Sequence, residues 1–418
     1  MSQKQADVLV VGAGVVGLSV AYYAASAGAK VVVLEKGEVG AGSSSSNAGL
    51  VVPSFFEPLP GPGAIGEGLR HLFDQQGYFG IHFRPDLRLM YWLARFARHC
   101  NRREFYRHSE LFMRLNGEGV QVHLELARLG GREYHFSQKG LLYLFLSAKR
   151  FIKGREKAAR AMDSGLASQV FSADEVRDVE PAAGRAVIGG IRFLTDAGLD
   201  PAKFLEWLAR QAAAWGVRVM TETEVFDFQL GRNRVNSVFT TKGEFRGEQV
   251  VLAGGAWLAP LGRRLGVNLP VEGGKGFSQT FLKPGMNVRQ PLILDEHHVA
   301  VSPLANALRI TGALELSGLD LTINPDRVRG IHRSACRYLP LIEPLHPSEI
   351  WRGLRPCTPD GLPLVGRLHS LNNVIVAGGH DTKGMTLGPL TGQYVTRLLA
   401  GQSIGDFEHR LSPGRFRL

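Results

Sequence analysis

Residues 7–36 read DVLVVGAGVVGLSVAYYAASAGAKVVVLEK, and the fold depends on whether this stretch crosses a membrane or builds a sheet. Val8 to Ala29 is almost uncharged and about long enough to span a bilayer, but its glycines argue otherwise. The β-branched run VLVV follows Asp7, GAGVVG interrupts it, and the small-residue helix LSVAYYAASAGA leads to a second strand, KVVVLEK. This is a βαβ unit. Its GxGxxG follows a strand, opens a helix and is followed by Glu35 at the end of the next strand. The glycines have separate tasks: Gly12 makes the tight turn, Gly14 lets a pyrophosphate approach the backbone, and Gly17 lets helix pack on strand. The helix N-terminus suits phosphate charge. Glu35 can accept hydrogen bonds from both ribose hydroxyls and repels a 2′-phosphate, so FAD or NAD is favoured over NADP. Val16 and Lys36 flank these positions and join the expected site.

Outward from this unit, GEVGAGSSSSNAGLVVPS (residues 37–54) is a second loop rich in glycine and hydroxyls. Ser43 to Ser46 can donate to a pyrophosphate and begin a short helix, while Asn47, Ala48 and Gly49 let backbone approach a flat ring. A run of Pro, Gly and aromatic residues from Pro53 to Phe83 then leads to a helical stretch around Asp86 to Arg107. There Leu89, Trp92, Leu93 and Phe96 recur at helical spacing among Arg88, Arg95, Arg98, Arg102 and Arg103. The leading reading is a core-facing helix; the alternative is a basic membrane-surface helix. A second basic cluster lies at Lys149 to Arg160.

Asp200 and Pro201 are an N-cap and first helical residue, with Phe204, Leu205, Leu208, Ala212 and Trp215 on one apolar face. VRVMTETEVFDFQL and NRVNSVFTT read as antiparallel strands, and EQVVLAGGAWLAPL as a buried strand that rejoins the first sheet through a Gly-rich turn. Pro270 to Leu316 alternates like a second, antiparallel sheet, followed by a helix near Asp326 to Tyr338. NVIVAGGHDTKGMTLGPLTGQYVTRLLAG reads as strand, glycine loop and a helix ended by Gly401, which returns the chain to the nucleotide unit.

Composition agrees with a folded, soluble chain of two or three domains. It has 418 residues, 44% hydrophobic and 21% charged, with mean hydropathy −0.04. Cys100, Cys336 and Cys357 are widely spaced, which fits neither a disulfide framework nor a zinc pattern, so no metal is expected and a reducing compartment is the simpler reading. The net charge of +11 permits attraction to nucleic acid, anionic lipid or acidic ligands. Without zinc-finger spacing or an RNP-like aromatic strand, nucleic acid is not an expected partner.

Taken in order, the residue 7–36 unit, SSSSNAG, VVLAGGAW, LRITGALELSG, GLRPCTPDGLPLVG and GGHDTKGMTLGPLTG resemble the FAD-dependent D-amino-acid oxidase superfamily. Within it the chain is most similar to bacterial D-amino-acid dehydrogenases, and it also resembles glycine and sarcosine oxidases. The resemblance spans nearly the whole chain; Pro53 to Phe193 matches only in length and character. It implies an α/β two-domain flavoprotein, with a Rossmann-like FAD domain (about residues 1–52, 140–260 and 345–418) interleaved with an antiparallel-sheet substrate domain (about 53–139 and 261–344).

The resemblance also implies roles. Gly12, Gly14, Gly17 and Glu35 match the ADP-binding positions, with Val16 and Lys36 in the same expected cofactor set. Ser44, Asn47, Ala48, Gly49 and Leu50 match the loop beside the flavin, and Ala253 and Gly254 the turn near the pyrophosphate. Val225 would contact adenine, and Gly379, His380, Gly384, Met385 and Thr386 complete the cofactor set. Arg355 matches the arginine that grips the substrate carboxylate in similar glycine oxidases, a role suited to a bidentate fork. Lys383, three residues after His380, stands where related sarcosine oxidases place a carboxylate-holding lysine; from the residues alone it could instead support the reduced flavin. Sarcosine oxidases attach flavin through a cysteine where this chain has Gly353, so non-covalent FAD is expected.

The implied activity is oxidative deamination of D-amino acids to 2-oxo acids and ammonia through an imine. Hydride passes from Cα to flavin N5 with no acid–base residue required. Electrons would go to a quinone or dye, from a cytoplasmic protein attached peripherally to the inner face of the cell membrane. The chain carries no second GxGxxG for a tightly bound NAD(P)H. The alternatives are a glycine, sarcosine or D-proline-type oxidase using O2, and a non-catalytic dinucleotide-binding protein.

Overall fold

The structure, a computed structural model, describes residues 5–71, 74, 76–82 and 84–416. Residues 1–4 and 417–418, at the outer bounds of the expected FAD domain, and Phe83, the bound of the loop run, lie outside them.

The apolar runs around the fingerprint become parallel strands buried on both faces. Arg218–Met220, Val31–Leu34, Gln5–Val11, Gly243–Leu252 and Val374–Gly378 lie side by side in that order, and Leu364–Arg367 adds antiparallel to the last. Because successive side chains of a strand point to opposite faces, Val8, Val10, Val31 and Val33 join one core and Leu9, Val11, Val32 and Leu34 another. The first core holds the helices Val15–Ser26, Pro201–Ala214 and Gly384–Leu399; the second holds Leu258–Arg264 and the hairpin Val225–Leu230/Val235–Thr240. Close helix approach depends on small residues: a Cβ on Gly392 would stand 2.7 Å from the Ser19 carbonyl carbon.

A nine-stranded, mostly antiparallel sheet forms the second layer. Its order is Glu349–Cys357, Glu272–Leu282, Ala307–Leu316, Val299–Leu304, Leu292–Leu294, Leu141–Phe145, Gly189–Phe193 and Ser168–Ser172, with Phe79–Ile81 pairing at the end of Ala307–Leu316. The helix Pro325–Tyr338 buries Val328, Ile331, Ala335 and Tyr338 against it. Together the two layers form the mixed α/β, two-domain arrangement expected from the sequence.

Several local expectations change. Residues 141–193 and 349–357 pair in the second sheet, although the sequence division put 140–260 and 345–418 with the nucleotide half; apolar alternation marks a strand without naming its partner. For the same reason Arg218–Met220 runs parallel to Val31–Leu34 instead of joining the antiparallel hairpin. The Asp86–Arg107 stretch is two helices, Leu87–His99 and Arg102–Gly130, broken where Asn101 accepts the Glu104 amide at 3.0 Å. The Pro53–Phe83 run contains a helix, Ala64–His71. Ser43–Ser46 form turns, not a helix; the Asn47 amide donates to the Ser43 and Ser44 carbonyls, which helical amides would otherwise claim.

Candidate active site

A cavity of about 1400 Å³ runs between the two sheets, larger than the ~300–1,000 Å³ of an ordinary small-molecule site. At one end the fingerprint turn closes: Gly12 has φ +110, and a Cβ there would meet the Ala253 oxygen at 2.6 Å. Gly14 and Val16 line the cavity at the helix N-terminus, with Ala253 and Gly254 opposite. Ser44 accepts the Val15 amide at 3.1 Å. The Glu35 carboxylate is held by the Ala13 amide at 2.7 Å and the Gly37 amide at 3.0 Å, which orients it and leaves acceptor capacity for two hydroxyls. Val225 and Trp257 line the same end, and the Lys36 ammonium lies 3.5 Å from the Trp257 ring centroid; burial lowers the Lys36 pKa.

Farther in, Asn47, Ala48, Gly49 and Leu50 form one wall. The second sheet holds this loop, Arg309 donating to the Asn47 carbonyl at 3.2 Å and Ser302 to the Ala48 carbonyl at 2.7 Å. His380, Gly384 and Met385 face the cavity from the other sheet. Burial pushes His380 down to about 4, so the imidazole is neutral, and its Nε2 lies 2.8 Å from the Thr391 hydroxyl.

Gly17, Gly379 and Thr386 do not line the cavity. A Cβ on Gly17 would fall 1.9 Å from the Gly12 oxygen, and Gly379, at φ +71, packs on Thr358. Thr386 accepts the Val52 amide at 3.0 Å. These three shape the walls from behind.

Arg355 and Lys383 line the same cavity. Arg355 donates to the Ala313 carbonyl at 2.7 Å, and Gly276 makes room for the guanidinium, since a Cβ there would stand 2.2 Å from Nη1. Lys383 is 2% exposed. Its ammonium lies 4.3 Å from the Phe112 ring centroid, and burial lowers its pKa. No hydrogen bond or ion pair to it is formed among the described residues, so a buried cation faces a cavity that can hold an anion.

The sequence reading missed part of this chamber. Asp381, within HDTKG, accepts the Cys357 thiol at 3.3 Å; burial raises the thiol pKa. Asp381 and His298, which line the cavity, and Ala313, which accepts from Arg355, have φ of 50, 50 and 61, three of the six non-glycine residues with positive φ among the described residues. Lys157 and Arg160, in the basic cluster of the helix Ala148–Asp163, line the cavity with Glu57 and Tyr143. Arg160 pairs with Glu57 at 2.6 Å, and Lys157 lies 3.8 Å from the same carboxylate. Positive charge was legible there; its inward direction was not. No group of three or more potential metal ligands occurs among the described residues.

This geometry fits FAD: an elongated cavity with a helix N-terminus, a positioned Glu35 and close backbone approach at Gly12 and Gly14. Residues 7–398 match the family model described as FAD dependent oxidoreductase, and the chain belongs to that family. It is 28% identical over 393 residues to a D-amino acid dehydrogenase of Helicobacter pylori, covering 94% of each. It is 32% identical over 404 residues to one of Methylobacterium sp. (strain 4-46), covering 94% of this chain and 95% of that one. Among solved structures, glycine oxidase from Geobacillus kaustophilus superposes with a TM-score of 0.80 over 99% of both chains at 24% identity. L-proline dehydrogenase from P. horikoshii gives 0.76 at 21%, over 99% of this chain and 98% of that one. These structures share the fold.

Proposed function

We propose that this FAD-dependent oxidoreductase deaminates D-amino acids oxidatively, releasing a 2-oxo acid and ammonia and passing electrons to a quinone or another acceptor. The observation that carries the reading is that Arg355 and the Lys383 ammonium, which has no hydrogen bond or ion pair among the described residues, line the same cavity as the nucleotide site. The names of the relatives support the D configuration. Bound FAD supplies the acceptor for the hydride leaving Cα. The chain's own part is largely positional: Arg355 grips the substrate carboxylate, and Lys383 holds either the carboxylate or the negative charge that develops opposite it. Neutral His380 keeps its turn in place through Thr391. FAD is held without a covalent bond, a reading supported by Gly353 and by the buried, protonated Cys357 thiol.

A second reading, a glycine, sarcosine or D-proline-type oxidase using O2, is favoured by the glycine oxidase superposition. The deciding experiment is anaerobic bleaching of the bound flavin by paired D- and L-amino acids, glycine, sarcosine and proline derivatives, followed by oxygen uptake. Bleaching by D-amino acids without matching H2O2 supports the dehydrogenase. Bleaching by glycine or sarcosine with stoichiometric H2O2 supports the oxidase. A retained flavin that no amine reduces would leave only the binding role.

No helix among the described residues is long and apolar enough to cross a membrane. Peripheral attachment is supported by the helix Leu87–His99, which buries Leu89 and Trp92 and exposes Leu87 (87%), Met90 and Tyr91 beside Arg88 and Arg98. Tyr106, also exposed, is on the cavity rim with Arg102.

A further inference from the structure

The proposed reaction requires a neutral amine, since the nitrogen lone pair assists hydride departure, whereas an amino acid arrives near neutral pH as the ammonium. The geometry points to a proton path out of the cavity: Tyr143 accepts the substrate's ammonium proton and passes its hydroxyl proton through Ser54 to the buried carboxylate of Asp196. This inference rests on the amino-acid deamination reading and names the residues that prepare its substrate.

Tyr143 lines the cavity from the strand Leu141–Phe145. Its hydroxyl lies 3.3 Å from Ser54 Oγ, which lies 2.5 Å from Asp196 Oδ2, and the Ser54 amide donates to Asp196 Oδ1 at 3.1 Å. The single Ser54 hydroxyl proton is committed to the carboxylate, so Tyr143 must donate to Ser54. The phenol oxygen then keeps acceptor capacity, part of it approached by the Lys157 ammonium at 3.4 Å. Ser54 and Asp196 are 0% exposed, and among the described residues the Asp196 carboxylate has hydrogen bonds from Ser54 alone and no ion pair. A fully buried acid with no cation in direct contact is costly as a purely structural device.

The step balances. An N–H bond of the ammonium breaks and an O–H bond forms on Asp196, two hydroxyl protons each move one place, and two opposite charges disappear together. Nothing is oxidised or reduced. The proton later returns by the same path to the departing ammonia. Burial pushes the Asp196 carboxyl up to about 7, which suits an acceptor near neutral pH. The charged groups facing the path are Lys157 and, through it, Glu57 and Arg160, with Asp295 paired to Arg150 on the far side. Lys157 and Lys383 also favour loss of a positive charge from a substrate placed between them.

The test is anaerobic stopped-flow reduction of the bound flavin by the best D-amino acid, from pH 6 to pH 10, in wild type, Tyr143→Phe, Ser54→Ala and Asp196→Asn. Tyr143→Phe leaves the Ser54–Asp196 pair intact, and flavin absorbance verifies each holoprotein. Each variant should be slower by on the order of 10²-fold at pH 7, and the deficit should shrink as the amine loses its proton unaided at high pH. An equal loss at every pH would mark the chain as structural and overturn the relay; so would unchanged rates. A wild-type flavin that no D-amino acid bleaches would overturn the reaction itself. Independently of turnover, the infrared band of a protonated carboxyl should fade between pH 5 and pH 9 in wild type and be missing at both in Asp196→Asn; an identical band in the two proteins would remove Asp196 from the path.

Discussion

Arg355 and Lys383 present positive charge differently, and substitutions should separate them. Arg355→Lys keeps charge and loses the bidentate fork, so steady-state kinetics with a D-amino acid should show a raised KM, with kcat lowered as far as Cα is misplaced. Lys383→Met removes the charge at similar length. If Lys383 holds the carboxylate, KM rises while the flavin potential is unchanged; if it supports the reduced cofactor, kcat and the potential fall together. Asp196 carries a prediction about stability. Its folded pKa, about 7, exceeds the ordinary 3.8, so its contribution is full below about pH 4 and is lost as pH rises through about 7, by at most on the order of 4 kcal/mol. Asp196→Asn cannot ionise. Its Tm relative to wild type should therefore rise between pH 5 and pH 8 in thermal melts; a constant difference would contradict the raised pKa.

The helices Val15–Ser26 and Gly384–Leu399 are joined along their small residues. Gly392→Val would force a side chain against the Ser19 backbone and the Tyr23 ring, 2.7 and 2.8 Å from the first added carbon. Such overpacking costs about 1–3 kcal/mol. It should lower Tm and, by shifting the fingerprint helix, increase FAD loss on gel filtration. Elements of this nucleotide half were the most readable in the sequence, because period-two alternation, a glycine turn and small-residue helices are local signals. GLRP and HDTKG were readable as motifs. Gly276, Ala313 and Asp381 were not, since each matters only through what a distant strand places beside Arg355 or Cys357. The Asn101 break did leave a local mark, an N-cap asparagine with Glu104 three residues later, which reading the stretch by the apolar spacing of Leu89, Trp92 and Phe96 passed over.

At the scale of the molecule, bound FAD should stabilise the fold. Stripping it should lower Tm, and restoring free FAD at a hundred times Kd should recover about 2.7 kcal/mol; equal melting of apo and holo protein would contradict a site built across both sheets. The +11 charge and the exposed Leu87–Met90–Tyr91 face predict sedimentation with anionic vesicles that salt reverses, each basic residue contributing about 1 kcal/mol at the surface. Indifference to such vesicles at low salt would assign the basic clusters elsewhere. Which strand joins which sheet was the least legible feature, since a chain that returns to its first sheet after long detours leaves no local mark. The return also sets a clock. Val250–Leu252 has no partner on one side until Val374–Gly378 is made, and the fingerprint helix waits for Gly384–Leu399. At about 5–20 residues per second on the ribosome, the 126 residues from Leu252 to Gly378 leave the parallel edge open for roughly 6–25 seconds, and the 373 residues from Ser26 to Leu399 leave the fingerprint helix without its partner helix for roughly 19–75 seconds. Flavin capture thus follows synthesis of residue 399, and the interval before it is when the chain is most exposed to aggregation and most dependent on chaperones.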